Sequence, residues 1–269
     1  MDKFNFSEIV IDRVFRAHKF DFNGRRMWTA TQIKDPTLEC GSETVYSTDA
    51  IGSNIMAFDR SKSAKFSFSN ALMHLDVLAS QLGTEKKVVS ETAKRTMTCV
   101  EFLKVDVTDG AKVTLSHKPI EEAEGVPFKY LDKVDTGLAA VATYELGSTP
   151  TKNFSVSERV VTLPTEPKWA AGDVVAVKYK YEAVAGVVIE DNANEYGEAG
   201  EFVVEAFCYN PCDKANKKLL NIVFPNAKED ANFSLTITNE LTHPVTINAM
   251  QDYCSENKCL FRVEACEAA

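Results

Sequence analysis

Residues 200–208 read GEFVVEAFC, and their alternation decides the fold class of this chain. Phe202, Val204, Ala206 and Cys208 recur at every second position, which is the spacing of a β-strand with one buried face. The same period appears in four further rows: Phe66 and Phe68, Val175 to Tyr181, Leu220 to Phe224, and Phe233 to Ile237. The sequence therefore predicts a mainly β protein.

One segment departs from period two and predicts an amphipathic helix. Its leucines recur at steps of three and four at Leu72, Leu75, Leu78 and Leu82. This spacing places them on one stripe, so we expect the four leucines to pack the helix against the sheet. Ser69 or Asn70 is expected to cap the start, and Gly83 to close the end in the left-handed conformation.

The middle of the chain predicts a separate module. Between residues 105 and 182, short apolar runs and turn residues alternate every ~8 to 12 residues, which is typical of a small β-sandwich. The flanking segments, 1–104 and 183–269, each hold only part of a sheet pattern. We expect them to join into one discontinuous domain, which requires the two ends of the inserted module to lie close together.

Composition excludes several classes of protein. The chain has 269 residues, 45% of them apolar, which is ample for a core and excludes disorder. Thirty basic and 39 acidic side chains give a net charge of −9. This charge argues against sequence-specific nucleic-acid binding but permits a surface past which nucleic acid moves without sticking. We predict no signal peptide and no membrane segment, because no apolar run approaches the ~18 residues required.

The sequence carries no sign of catalysis. His18, His74, His117 and His243 each lack a Cys, Asp or second His at a ligand-like spacing. A structural role, solvated or hydrogen-bonded, is therefore the interpretation for each of them. Nucleophile-elbow, dinucleotide, P-loop and zinc-protease motifs are also absent from the sequence. We predict that the protein is not an enzyme and uses no cofactor.

Cysteines near the C-terminus leave three alternatives open. Cys208, Cys212, Cys254 and Cys259 could hold a tetrahedral zinc ion, although their spacings are looser than those of zinc knuckles. A disulfide could join Cys212 to Cys254, or Cys208 to Cys259. Plain reduced thiols are the favoured interpretation, because an odd total of seven cysteines without framework spacing is typical of a reducing compartment.

Four carboxylates precede the predicted helix, at Glu39, Glu43, Asp49 and Asp59. Paired carboxylates can serve acid–base chemistry or bind Ca²⁺, but no EF-hand spacing occurs around them. The simpler interpretation is a polar face on a hairpin. Arg25 and Arg26 beside Gly24 similarly predict a hairpin tip, either as a solvated turn or as a contact point.

Residues 28–86 contain, in order, ATQIKDPTLE, the turn STDAIGSNI, and FDRSKSAKFS leading to a helix that ends ASQLGTEK. With these motifs in this order, the stretch resembles bacteriophage tail tube (major tail) proteins. The C-terminal part is similar in GEFVVEAFCYNPCD, NIVFPNAKED, and HPVTINAMQDYC followed by LFRVEA. These stretches cover about two thirds of the chain, whereas the middle module does not share the resemblance strongly.

The resemblance implies a structural protein of the virion tail. It implies a β-sandwich or barrel-like domain with one flanking helix, assembling as rings, usually hexameric, that stack into a hollow tube for DNA ejection. Its partners are then copies of itself and other phage tail proteins, with DNA passing through without sequence-specific binding. Synthesis and assembly are expected in the cytoplasm of the host bacterium. The inserted module resembles immunoglobulin-like decorations of virion proteins, and no catalytic residue is carried over.

Charge and alternation predict which residues face the channel. Glu39 and Glu43 are four residues apart and fall on one face of a strand, while Leu38 and Tyr46 turn away. Together with Asp49 and Asp59 they are expected to form an acidic lumen wall that does not capture phosphates. The alternative is that these acids are solvated on the exterior.

Other functions remain as alternatives at this level. Another phage structural component, a tail terminator or a capsid-surface protein, is barely distinguished from a tube subunit by one sequence. An enzyme, or a metal- or carbohydrate-binding β-module, is less favoured. A tube protein forms rings or polymers, whereas an enzyme or lectin stays a small oligomer whose melting responds to its ligand.

Overall fold

The computed structural model describes residues 8–121, 125–211, 213–238, 242–253 and 256–267, without the side chains of 213–216, 266 and 267. Strands hold 56% of the residues and helix 3%, which confirms the mainly β prediction. The chain divides into two compact units. Unit 1 comprises Met1–Lys86 and Ile189–Ala269, and unit 2 comprises Lys87–Val188.

Unit 1 contains one helix and eight strands within the described residues. They are β1 (Val10–Phe20), β2 (Arg26–Ala30), β3 (Ile33–Thr48), β4 (Asn54–Asn70), α1 (Leu75–Leu82), β14 (Gly200–Asn210), β15 (Asp213–Glu229), β16 (His243–Ala249) and β17 (Arg262–Glu267). Unit 2 contains β5 (Lys87–Val89), β6 (Arg95–Lys104), β7 (Lys112–Thr114), β8 (Tyr130–Val134), β9 (Ala140–Glu145), β10 (Ser155–Ser157), β11 (Val160–Thr162), β12 (Val174–Ala183) and β13 (Gly186–Val188).

The strands of unit 1 form one sheet in the order β2-β1-β14-β15-β16-β4-β3, with β17 also paired to β15. Its core is built from the rows that alternation predicted, since Phe66, Phe68, Phe202, Val204 and Phe224 are all buried. In β14 and in the inner part of β4, one face is therefore removed from water, and the period of two reflects this burial. Strands β2 and β3 lie at the two ends of the order.

The predicted strand from Phe233 to Ile237 is wrong. Residues 231–238 form only one isolated bridge, Thr236 with Thr242, and Ile237 is 80% exposed. The strand that pairs with the end of β15 is instead β16, because Ala227–Glu229 pair with Ile247–Ala249. Residues 231–238 join no ladder with any of the described strands, and alternation without a partner does not make a strand.

Helix α1 begins later and is turned differently from the prediction. Its buried residues are Val77, Ala79, Ser80 and Gln81. Leu72 precedes the helix and is exposed, Leu75 is 37% exposed, and Leu78 and Leu82 are half-buried. The four leucines are therefore not the buried stripe. Two polar residues, Ser80 and Gln81, occupy it instead because hydrogen-bond partners meet them there.

The two ends of α1 differ in how well the sequence predicted them. Residue His74 occupies the N-cap position without a side-chain hydrogen bond, and Ser69 lies within β4, so the predicted cap is wrong. Asn70 Oδ1 accepts a hydrogen bond from the Leu72 backbone N–H at 3.3 Å, one turn too early to cap the helix. At the other end Gly83 has φ 73°, which confirms the left-handed closure.

Two of the three sheets of unit 2 enclose its core. One sheet has the order β6-β12-β8-β9 and the other β10-β11-β7. Side chains from both sheets meet in the core, among them Val113, Val161, Val177 and Tyr179, together with Trp169. This is a β-sandwich, stabilised by burial on the inner faces of the two sheets.

The first and last strands of unit 2 pair with each other. β5 and β13 form an antiparallel ladder in which Val88 lies opposite Val187. The two ends of the inserted segment are therefore adjacent. The unit begins earlier than residue 105, because β6 pairs with β12 over its whole length, from Arg95 opposite Ala183 to Lys104 opposite Val174.

In the part of the chain that the structure describes, no helix is long and apolar enough to cross a lipid bilayer.

Candidate functional site

Strands β3 and β4 form a long hairpin, and its outer part is the most unusual surface of unit 1. The two strands pair antiparallel from Ile33 opposite Asn70 to Thr48 opposite Asn54. Every residue from 34 to 63 is exposed, whereas β4 is buried at alternate positions from Ala64 onwards. We call residues 34–63 the arm.

The tip of the arm is closed by Asp49. Its Oδ1 accepts hydrogen bonds from the backbone N–H groups of Ile51 at 3.0 Å and Ser53 at 2.8 Å. Gly52 follows with φ 88°, a conformation that glycine adopts without steric cost. The turn predicted from STDAIGSNI is therefore present, and Asp49 has a local structural role in it.

Three register shifts interrupt the ladder of the arm. They lie between Lys34 and Thr37, where Asp35 has φ 50°, between Gly41 and Glu43, and between Ser47 and Thr48. At the second shift two residues of β4 oppose one of β3, and Ser61 has φ 52°. Extra residues of this kind increase the local twist of a two-stranded ribbon, so the arm is not a flat strand pair.

Large apolar side chains cover both faces of the arm. Val45 lies opposite Phe58 and Ser47 opposite Met56, so these side chains share one face. The other face carries Tyr46, opposite Ala57, whereas Ile55 falls at the register shift between Ser47 and Thr48, where it is the extra residue of β4. The exposed fractions are 39% for Val45, 44% for Phe58, 55% for Met56, 54% for Tyr46, 67% for Ile55 and, at the tip, 88% for Ile51.

A two-stranded ribbon with exposed apolar side chains is expected to bury them against another surface. A two-stranded hairpin is marginally stable alone in water, and exposed apolar patches mark interaction sites. Within the described residues, no element of unit 1 covers either face of the arm beyond Ala64. The arrangement is suited to binding another protein surface on each face.

The four predicted lumen carboxylates all lie on the arm. Lys65 Nζ is 3.5 Å from Glu39 Oε2, and Arg60 lies opposite Glu43 in the ladder. The hydroxyl of Thr44 donates to Asp59 Oδ1 at 2.7 Å. Asp49 closes the tip. The structure therefore brings these acids onto one element, each beside a partner of its own, and their orientation in an assembled tube stays a prediction.

The apolar residues of the arm were missed by the sequence reasoning, which selected only its acids. Their signal is present in VYSTDAIGSNIMAF, residues 45–58, where large apolar residues stand on both sides of a turn. This pattern was available, but alternation alone does not say that a strand leaves the core. That conclusion needed the burial of each residue.

The Arg25–Arg26 tip lies at the β1–β2 turn. Asp21 Oδ1 accepts the backbone N–H groups of Asn23 at 2.9 Å and Arg25 at 2.8 Å, and Gly24 has φ 80°. Both arginines are exposed and line a cleft of about 350 Å³ that also contains Asp76 and Lys86, which form an ion pair. The predicted hairpin tip is present, and a contact role for it remains a prediction.

Three of the four histidines contact specific partners in the structure. The His18 Nδ1 atom lies 2.9 Å from Thr29 Oγ1, and His117 stacks on Tyr181 with ring centroids 3.9 Å apart. His243 is fully buried, and its Nε2 lies 2.7 Å from Gln81 Oε1. Burial lowers the pKa of His243, and the neighbouring His74 acts in the same direction. Neutral His243 therefore donates to Gln81 and attaches α1 to β16.

The cysteine alternatives are partly resolved. Cys208 is buried on β14, and Cys259 is a free thiol whose Sγ donates to the Phe261 carbonyl oxygen at 3.2 Å. A Cys208–Cys259 disulfide is therefore wrong. Cys212 and Cys254 lie outside the described residues. Among the residues that are described, no three His, Cys, Asp or Glu side chains lie close enough together to hold a metal ion.

Comparison with known proteins identifies the family. A search of the curated proteins finds no match to this chain. The model of the YomU/Tube protein family matches residues 10–261, which include most of both parts of unit 1 and all of unit 2. This span contains the arm, both ends of the sheet order and the helix. The chain therefore belongs to the YomU/Tube protein family and is a structural protein of the phage tail tube.

Proposed function

We propose that this tail tube protein assembles with copies of itself into rings that stack into a hollow conduit for phage DNA. The observation that carries the proposal is the arm, which presents exposed apolar side chains that no described element of unit 1 covers. A second copy of the chain supplies the covering surface. The virion tail then contains the assembled form, in contact with other tail proteins.

Ring formation is supported by the two ends of the sheet order. β2 and β3 each present one edge to which no further strand of the order is paired. An unpaired strand edge can pair with a strand of another chain. When the β2 edge of one copy pairs with the β3 edge of a second copy, the contact is head-to-tail. Repeated with a fixed rotation, such a contact closes into a ring. Six subunits in each ring is the number implied by the resemblance of residues 28–86 to tail tube proteins.

Passage of DNA is supported by charge. The net charge of −9 disfavours capture of a polyanion, and phosphates held by lysine or arginine would slow movement along the channel. We propose that Glu39, Glu43, Asp49 and Asp59 contribute to an acidic wall. We also propose that unit 2 is an immunoglobulin-like decoration on the outside of the tube, and that assembly takes place in the host cytoplasm.

Assembly is tested with the full chain by negative-stain microscopy and sedimentation. We expect rings and tubes for the natural sequence, and dispersed subunits after Tyr46→Glu with Ile55→Glu, or after Met56→Glu with Phe58→Glu. Val141→Glu, at a 63% exposed position of unit 2, is the matched control and should still assemble. Tubes formed equally well by both arm variants would contradict the proposal.

The same experiment separates the alternative structural role. Single rings that do not stack into tubes would favour another phage structural component, such as a tail terminator, over a tube subunit. The lumen assignment needs a structure of the tube itself. If Glu39 and Glu43 lie on the outer surface, or if Lys and Arg mainly line the channel, the acidic wall is wrong.

A further inference from the structure

The four-stranded sheet of unit 2 has an outer face that forms an open groove of about 530 Å³. Lining residues include Val100 on β6, Tyr130 and Asp132 on β8, and Lys178 on β12. Val100 is 59% and Tyr130 50% exposed, and Lys178 is also exposed. This volume is within the range of about 300–1,000 Å³ of small-molecule and cofactor sites.

Strand register explains why these side chains converge. Val177 lies opposite Leu131, and both are buried in the core of unit 2. The neighbouring positions must therefore point outward. Across all four strands, one outward row contains Phe102, Ala176, Asp132 and Thr143, each opposite the next. The adjacent row contains Val100 opposite Lys178, followed by Tyr130 opposite Glu145.

The groove combines three kinds of contact. Tyr130 lines the groove and offers exposed aromatic surface, 50% accessible, while Phe102 lies beside the groove, opposite the lining residue Ala176. Lys129 Nζ lies 5.7 Å from the centre of the Tyr130 ring, and Lys178 and Lys180 line the same groove. Asp132 Oδ1 accepts a hydrogen bond from Thr143 Oγ1 at 2.6 Å, which leaves its second carboxylate oxygen available as an acceptor.

These contacts select a ligand of defined chemistry. Lysines attract anionic groups, a carboxylate accepts hydrogen bonds from hydroxyl groups, and aromatic surface packs against the apolar face of a ring. A ligand that satisfies all three is a chain of hydroxylated rings with acidic substituents. We propose that this groove binds an acidic polysaccharide.

A nucleic acid matches the groove less well. Proteins that bind single strands line a strongly basic groove with aromatic residues, because each nucleotide carries a phosphate. Here Asp132 lines the groove, and Glu145 lies opposite Tyr130 in the outward row. Residues 87–188 contain 13 basic and 14 acidic side chains. Carboxylates at these positions repel a densely charged strand but accept the hydroxyl groups of a sugar.

The experiment uses the full chain and measures binding of oligogalacturonate by titration calorimetry at a fixed, near-physiological salt concentration. Methyl-esterified oligogalacturonate is the matched neutral probe, and oligo-dT is the nucleic-acid probe. We expect saturable binding of the acidic sugar, and at least tenfold weaker binding of the ester and of oligo-dT.

Variants locate the site. Lys178→Glu and Tyr130→Ala should each weaken binding of the acidic sugar at least tenfold, and Lys178→Met serves as a second, milder variant. Lys152→Glu, which makes the same charge change at an exposed position outside the groove, should leave binding unchanged. Unchanged Trp169 fluorescence and melting must accompany each comparison, since Trp169 is buried in the core of unit 2.

Several results would overturn the proposal. These are the absence of binding, equal binding of the ester, tighter binding of oligo-dT, or equal loss in Lys152→Glu and Lys178→Glu. None of these results bears on tube assembly, because no variant alters the arm.

Discussion

Lys19 Nζ lies 2.8 Å from Glu229 Oε2, although 210 positions separate the two residues in the chain. Both side chains are almost completely removed from solvent. Ser80 Oγ donates to the same carboxylate oxygen at 2.6 Å, and Trp28 Nε1 donates to Glu229 Oε1 at 2.9 Å. This one carboxylate therefore joins β1, β2, α1 and β15.

Removing one partner of this pair should destabilise unit 1 strongly. Lys19→Met leaves Glu229 charged and buried without its cation, which costs about 3–5 kcal/mol in comparable pairs. Urea unfolding followed by Trp28 fluorescence, in a Trp169→Phe background, reports on unit 1. Lys65→Met breaks the exposed pair with Glu39 and should cost about 0–1 kcal/mol. Equal losses in the two variants would show that the buried pair has no special role.

Gly83 should tolerate no side chain. A Cβ there would overlap the backbone of Tyr196 and Gly197, and its φ of 73° also disfavours other residues. We expect Gly83→Ala to lower the free energy of unfolding by about 2–4 kcal/mol. Gly52→Ala is the control, because its φ of 88° is similar but nothing lies within 4 Å. It should cost only about 1 kcal/mol. Similar losses would mean that the contact with Tyr196 is unimportant.

Apolar truncations identify which side chains pack helix α1 against the sheet. Val77 is completely buried, so Val77→Ala should cost about 2 kcal/mol. Leu78 is half-buried, so Leu78→Ala should cost less. Leu72 is 62% exposed, so Leu72→Ala should change the free energy of unfolding of the isolated subunit by no more than about 0.5 kcal/mol. Thermal unfolding of the three variants measures this order. If Leu72→Ala were the most damaging, the helix would be seated on its leucines after all.

Stability should fall with acidification through His243. Burial lowers its folded pKa below the ordinary value of 6.5, so the unfolded chain binds the proton more readily. The stabilising contribution is therefore present above about pH 6.5 and is lost as the pH falls below it. His243→Gln keeps a donor for Gln81 but does not titrate, so its melting temperature should decline less between pH 7.5 and 5.5. His117→Gln, at an exposed position, should decline like the natural protein.

Deleting unit 2 should leave assembly intact. β5 and β13 are paired, so a short Gly/Ser bridge from Lys86 to Ile189 can replace residues 87–188 without stretching unit 1. We expect rings and tubes from the deletion protein by negative-stain microscopy, since the arm is retained. A soluble, folded deletion protein that never assembles would show that unit 2 takes part in the tube interface.

The sequence by itself determined the strands that line the two cores. Phe202 to Cys208 and Val175 to Tyr179 alternate because one face of each strand leaves water, and this requirement acts on each strand locally. Gly83 and the Asp49–Gly52 turn were equally predictable, since backbone conformation restricts the residue at those positions. The resemblance of residues 28–86 then indicated the family that the match over residues 10–261 shows.

Only the tertiary structure decided which residues that are distant in the sequence contact each other. The buried face of α1 contains Ser80 and Gln81 rather than four leucines, because Lys19, Glu229, His243 and Pro244 arrive from distant strands to bond them. The Phe233–Ile237 segment alternates but joins no ladder with any of the described strands. The arm has apolar residues at adjacent positions, Val45–Tyr46 and Ile55–Met56, and only the burial of each residue shows that these strands extend beyond the core. A period of two shows that the two faces of a strand differ in polarity. The residues that bury each face come from distant parts of the sequence, so the period does not identify them.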